Sequence, residues 1–373
     1  MSQKRDMTEI TGSDADSPAC RRILLLPFEL WPDADRKAWR AACQPAARLR
    51  RGGAAGHLRP ASREVHERHY GNFLGFLDRN GLLRRDAPAA ANVTPENVDA
   101  FLAEAKARMS STTVHVAMCC LRRTALYMIP GLELGWLNEI AKDLAVVAHP
   151  RSKFDRLVLP ERLMEAGLAL FQEAENSHTM TKLAQASQVR NGLMLAMLGF
   201  HPIRRKNFAA LEIGRSLVKI RGRWWIVLSA AETKENRADE RRVNKLLMPF
   251  IDRYLDQYRP VLIRPDSPPS AFWLSSRHAA RIADKYVATL IGATTLSTVG
   301  VKLTPHLFRT SAASAAALHC GENPYLGSAV LHHTDPRVTN DHYNRATSLS
   351  AAENFRKIVR RFEKNMIEII SPQ

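Results

Sequence analysis

Between Ser62 and about Ala148 the apolar positions recur every three or four residues, the spacing of helices with one buried face. Val65, His69, Phe73, Phe76 and Leu77 mark a first helix. Thr94-Pro95-Glu96-Asn97 reads as a helix start. The Thr94 hydroxyl can accept from the amide three residues on, and Pro95 lacks an amide that would find no helical partner anyway. Val98, Phe101 and Leu102 follow on one face. Ser110 or Ser111 opens the next helix, with Val114, Met118, Leu121, Ala125 and Met128 apolar and Arg122 and Arg123 facing away. Gly135 to Val147 supplies a fourth, so residues 61–149 are expected to form a small all-α domain.

A basic, proline-broken linker, His149-Pro150-Arg151-Ser152-Lys153, leads into a larger domain over 150–373. It begins helically, with Val189, Leu193, Ala196 and Met197 on the inner face of a helix from about Leu183 to Gly199. Two β-rich runs follow, Leu217–Ile220 and Trp224–Leu228, separated by the turn signal Arg221-Gly222-Arg223. Arg241 to Met248 is a third strand or the lead into a helix near Pro249. Residues from 304 onward are helical again. The fold class is mainly α with a small antiparallel β-sheet. Residues 1–60 lack this periodicity. Pro27 and Pro32 bracket Phe28 and Trp31, and Arg48, Arg50 and Arg51 run into Gly52, Gly53 and Gly56, which predicts an N-terminal extension with a flexible basic arm.

Composition narrows the partner. The 373 residues carry 54 Lys+Arg against 37 Asp+Glu, a formal charge of +17. That excess points to polyanions, nucleic acid before an acidic membrane surface. No apolar run is long enough to span a bilayer, and the start Met-Ser-Gln-Lys-Arg-Asp has no signal-peptide stretch. Cys20, Cys43, Cys119, Cys120 and Cys320 show no paired spacing, which fits free thiols in a reducing cytoplasm.

Thr304 and Pro305 start a helix that places His306 and Arg309 one turn apart, able to grip one phosphate together. Spacing alone decides nothing, because His201/Arg204, His278/Arg281 and His342/Arg345 repeat it; these three read as coincidence. Order and flanks decide more. Arg204 follows a helix and a glycine break and opens an amphipathic helix packed by Phe208 and Leu211. Ala231-Glu232-Thr233-Lys234-Glu235-Asn236-Arg237 is a polar hairpin tip with one lysine, for which a solvated charged loop is the plain alternative. Leu331-His332-His333 precedes a turn, and Tyr343 follows ten residues after His333.

This ordered set resembles the tyrosine recombinases, the phage integrase family. The resemblance covers roughly residues 60–373 and implies a helical, SAM-like core-binding domain followed by the family's catalytic domain. It implies a catalytic set of Arg204, Lys234, His306, Arg309, His333 and Tyr343. Tyr343 would attack the scissile phosphate, the arginines would hold its oxygens, and Lys234 would protonate the leaving 5′-oxygen, with neither metal nor ATP. Arg205 adjoins Arg204, and His332 replaces the family's glycine, so both stay open as further members. Asn207 stands where the family has an acid. Arg122, Arg123, Arg151 and Lys153 are expected DNA contacts. The partner is double-stranded DNA. A C-terminal helix over Ser350–Ile370, apolar through Phe355, Ile358, Val359 and Phe362, would be exchanged between protomers of a homotetramer. The resemblance places the protein in a prokaryotic cytoplasm, nucleoid-associated in use. Type IB topoisomerase-like relaxation and DNA binding without catalysis are the competing readings. A metal nuclease on His332, His333, Asp335 and His342 matches no common ligand spacing.

Overall fold

The computed structural model describes residues 24–48, 51–149, 154–278, 280–319 and 326–331. The chain divides into two compact units, Met1–Arg151 and Ser152–Gln373.

The first unit is built from α1 (Asp33–Ala42), α2 (Pro60–Arg79), α3 (Pro95–Arg108), α4 (Ser111–Met128) and α5 (Gly135–Val146). Thr94 caps α3, accepting from the Asn97 amide at 3.3 Å, and Ser110 caps α4, accepting from Thr113. The inner face of α2 starts one residue later than its periodicity suggests: His66 and Tyr70 are buried where Val65 and His69 were expected. The cause lies in residues 24–48 and 51–60, which are no free arm. Trp31 packs on Tyr70 (ring centroids 4.9 Å apart) and Trp39 on His66 (6.1 Å). The backbone of Leu24 to Leu26 lies so close along Gly71 and Gly75 of α2 that a Cβ at either glycine would strike a carbonyl oxygen. Gly53 and Gly56 likewise let the chain pass tightly over the end of α1, with the Gly53 amide donating to Gln44 O at 2.9 Å. These glycines serve close approach rather than flexibility.

The second unit opens with an antiparallel hairpin of α6 (Pro160–Glu175) and α7 (Lys182–Phe200). From Gly192 to Gly199 α7 is buried on every side, a central helix rather than an amphipathic one. The short α8 (Arg205–Ala209) leads to β1 (Leu217–Ile220), β2 (Arg223–Leu228) and β3 (Asp239–Arg242), an antiparallel sheet in the order β1-β2-β3. Arg221 and Gly222 both have positive φ (49° and 76°), the two-residue turn that suits the strand twist. The third strand stops at Arg242, earlier than expected, because Asn244 caps the next turn by accepting from the Leu246 amide. After it α9 (Met248–Arg253), a π-helical turn (Tyr254–Tyr258) and α10 (Arg259–Leu262) run on. Then come α11 (Asp284–Val299), α12 (Pro305–His319) and α13 (Leu326–Leu331). Leu193, Met197, Phe208, Trp273, Leu307 and Phe308 belong to one core. Two buried arginines hold the extended stretch through Trp273: Arg190 donates to Leu274 O at 2.7 Å, and Arg259 to Pro269 O and Ala271 O at 2.6 and 2.7 Å. Among the described residues, no helix is long and apolar enough to cross a membrane.

Candidate active site

α7 ends at Phe200, and the chain turns through His201-Pro202-Ile203 before α8. Ile203 is buried and its amide donates to His201 O at 2.7 Å, which fixes the turn. Arg204 occupies the position before the first helical residue, half-buried, and its Nη2 donates to Glu235 Oε1 at 2.5 Å. Arg205 diverges from it and pairs with Asp284 Oδ2 at 2.9 Å, at the start of α11. Adjacent in sequence, the two arginines serve different places, and only Arg204 faces the hairpin.

That hairpin loop is tied down on both sides of Lys234. After β2, the Ser229 amide and hydroxyl donate to Glu232 Oε2 at 2.9 and 2.8 Å, and Arg215 Nη1 reaches Glu232 Oε1 at 2.7 Å. Thr233 is buried; its hydroxyl donates to Arg237 O at 2.7 Å and accepts from the Arg237 amide at 3.1 Å. Lys234 itself is exposed, between buried Thr233 and ion-paired Glu235. Entering β3, Asp239 takes a bidentate pair from Arg241 at 2.7 and 2.9 Å. At the far end, His201 Nε2 accepts from the Asn244 amide at 3.2 Å, which assigns its neutral-state proton to Nδ1. Burial, reinforced by the nearby Arg241 and opposed by Asp239, pulls the His201 pKa down to about 4.

α12 brings in the second guanidinium. Arg309 is buried, and donates through Nη1 to Pro202 O at 2.6 Å and through Nη2 to Leu331 O at 2.7 Å. One side chain thus joins the turn before Arg204 to the end of α13. Burial lowers the Arg309 pKa to about 10, and the neighbouring Arg204 and Arg241 push the same way, against Asp239 and Glu235. Among the described residues, three guanidiniums and two carboxylates share one largely buried neighbourhood. A phosphodiester is the ligand such an excess suits, because guanidinium donors match its oxygens and the charge is screened weakly there.

The structure therefore brings Arg204, Arg309 and the Lys234 loop together. His306 lies one turn before Arg309 on α12, exposed. His332, His333 and Tyr343 lie outside the described residues, as do Arg151 and Lys153; Leu331, whose carbonyl Arg309 holds, immediately precedes His332. Arg123 is exposed on α4, whereas Arg122 is half-buried and donates to Leu134 O at 3.3 Å. Four residues not singled out from sequence belong to the site: His201, Glu235, Asp239 and Arg241. His201 was visible as a His-x-x-Arg match, and Asp239 and Arg241 as an alternating acid–base pair. Among the described residues, no group of three His, Cys, Asp or Glu side chains is placed to hold a metal ion.

No protein-family model and no curated protein matches the sequence. Solved structures do match. XerH site-specific recombinase, bound to a palindromic difH substrate in a post-cleavage complex, aligns with 81% of this chain and 82% of its own at a TM-score of 0.54 and 12% identity. The pre-cleavage complex of XerH with difH aligns over 76% of each chain at a TM-score of 0.51 and 11% identity. The chain has the fold of the tyrosine recombinases.

Proposed function

We propose that this protein is a site-specific DNA recombinase that cuts and rejoins double-stranded DNA through a 3′-phosphotyrosine. The observation that carries the reading is the position of Arg309, held by Pro202 O and Leu331 O beside Arg204 and the Lys234 loop. Residues far apart in sequence converge there on what one phosphate requires. The recombinase fold and the +17 charge support the same conclusion.

In this reading the Tyr343 oxygen attacks the scissile phosphorus and the bond to the 5′-oxygen breaks. Arg204 and Arg309 hold the non-bridging oxygens as charge gathers on them, and Lys234 gives its proton to the departing 5′-oxygen. His306 assists proton transfer, and His333 binds a phosphate oxygen. The phosphotyrosine keeps the bond energy, so a second strand's 5′-hydroxyl can reverse the step without ATP or metal. Carbonyl acceptors are well chosen for Arg309, because they orient the guanidinium without cancelling its charge. Arg123, with Arg151 and Lys153, contacts the DNA backbone, and the C-terminal helix links protomers into a tetramer on two duplexes.

The test is covalent trapping. The protein is incubated in EDTA with a randomised pool of nicked duplexes, and adducts are resolved under denaturing conditions. Wild type is expected to form a covalent protein–DNA adduct and Tyr343→Phe none. An adduct that persists in Tyr343→Phe means another nucleophile, and cutting abolished by EDTA means a metal mechanism. Strand exchange between two selected duplexes then separates recombination from simple relaxation.

A further inference from the structure

The loop bearing Lys234 is reached from its β2 end by a chain of ion pairs that starts in the core of the second unit. The first member, Arg281, lies on an extended stretch whose backbone is fixed. Arg281 bridges to Leu274, the Ile282 amide donates to Trp273 O at 3.1 Å, and buried Arg190 holds Leu274 O. Arg281 Nη2 donates to Glu212 Oε1. The Glu212 amide donates to Ser216 Oγ at 2.8 Å, and its carbonyl accepts from the amide of Leu217, the first residue of β1. Arg215 then spans two carboxylates, its Nε donating to Glu212 Oε2 and its Nη1 to Glu232 Oε1 at 2.7 Å. The chain ends two residues before Lys234.

Exposed ion pairs contribute little to stability, and half of the Arg215 side chain is in water. What sets this chain apart is where it ends and how its members divide their atoms. Glu232 Oε2 closes the short turn Ala230–Glu232 on the Ser229 amide and hydroxyl, while Oε1 takes Arg215. Burial disfavours the Glu232 charge, but the Arg215 and Ser229 donors outweigh it and hold its pKa below the usual value. The Arg215 and Arg281 donors do the same for Glu212. The Thr233–Arg237 bonds join two points of the loop and set its shape, whereas the Glu232–Arg215 pair joins the loop to the body of the unit. From this we infer that Arg215 is a positioning residue for Lys234, bracing the loop through Glu232 so that the ammonium meets the leaving 5′-oxygen at hydrogen-bond distance. Proton transfer is sensitive to that placement, and an error of about 1 Å can cost on the order of 10²-fold in rate. Arg215 touches no reacting atom and acts only through the lysine.

The inference rests on the recombinase reading, and its test uses the bond that breaks. When Tyr343 attacks phosphorus, the departing 5′-oxygen takes a proton from Lys234; a 5′-sulfur in its place departs as a thiolate and needs none. Single-turnover adduct formation is followed with the full-length protein on duplexes selected by adduct formation and carrying either atom. On oxygen, Arg215→Ala is expected to lose about 10-fold in maximal rate with the half-saturating duplex concentration little changed, and Lys234→Ala about 100-fold or more. On sulfur, both should come within a few-fold of wild type, whereas Arg204→Gln, which removes a phosphate donor, should stay impaired. Glu232→Gln keeps one oxygen for Ser229 but loses the charge, so it should repeat the Arg215→Ala pattern, and the double variant should be no worse than either single one. An Arg215→Ala deficit that persists on sulfur, or that appears only in the half-saturating concentration, means that Arg215 serves DNA contact or the fold, and the brace is wrong. A wild-type rate of Arg215→Ala on oxygen also overturns it. If Lys234→Ala is not rescued by sulfur either, Lys234 is not the general acid and the brace falls with that role. Absence of adduct from wild type on both atoms removes the recombinase reading itself, and the brace with it.

Discussion

Protonation of His201 would leave the Asn244 amide without its acceptor and set a cation beside the Arg241 guanidinium, so the folded unit favours the neutral ring. The unfolded chain binds that proton near pH 6.5, the folded one only near pH 4. The stabilisation is therefore complete above pH 6.5 and is lost as the pH falls through 4. At about 1.4 kcal/mol per pH unit, the gap corresponds to roughly 3 kcal/mol. The melting temperature of the second unit is expected to fall between pH 6.5 and 4, and His201→Gln, which cannot titrate, should flatten that part of the curve. An unaltered slope in the variant would assign the acid sensitivity elsewhere. At this scale the sequence was only partly informative. Arg204 and Arg309 stood out through their order and flanks. His201 did not, because its spacing recurs by chance in a chain rich in arginine, and its partner Asn244 lies 43 residues away. Glu235 and Asp239 looked like solvated loop charges, since nothing local reveals which guanidinium each one meets.

Elements were legible wherever pattern and packing agree. The caps at Thr94 and Ser110, the β1–β2 turn at Arg221-Gly222 and the span of α7 all follow from local chemistry. The third strand was shifted because Asp239-Glu240-Arg241-Arg242 has no apolar alternation; its extended form comes from pairing with β2, Leu228 opposite Asp239 and Trp225 opposite Arg242. The segment from Leu24 to Trp31 looked irregular because it is held by the glycines of α2, not by a face of its own. Closeness of this kind governs the α6–α7 hairpin as well. A Cβ on Gly192 would come within 2.8 Å of both Gly167 O and Phe171 N, backbone atoms that cannot swing aside. In an open helix Gly→Ala gains about 1 kcal/mol of helical propensity. Here the overlap should outweigh that gain, leaving a net loss of about 1–2 kcal/mol. Thermal melting of Gly192→Ala is expected several degrees below wild type, whereas Gly135→Ala, where nothing lies within 4 Å, should be neutral or slightly stabilising. Equal behaviour of the two variants would show that the hairpin can spread at little cost.

For the whole molecule, the decisive quantity is the surplus of positive charge. Many of its cations are engaged internally: Arg190, Arg259 and Arg309 hold backbone carbonyls, while Arg204, Arg205, Arg215, Arg241 and Arg281 pair with carboxylates. Internal ion pairs cancel one charge of each sign, so pairing leaves the +17 untouched. Arg190 and Arg259 keep their charge but are committed to the fold. In the proposed recombinase reading, the surplus that reaches a duplex would lie largely on exposed side chains such as Arg123 and Lys234, and it would act by releasing counterions from the phosphates it neutralises. If a protomer neutralises about eight phosphates, log Kobs should fall against log salt with a slope near −7. Between 50 and 200 mM salt that slope costs about 10⁴-fold in affinity. Fluorescence anisotropy with a labelled non-specific duplex measures it directly. A slope shallower than about −3 would mean few phosphates are touched, and the basic excess would then serve something other than holding DNA.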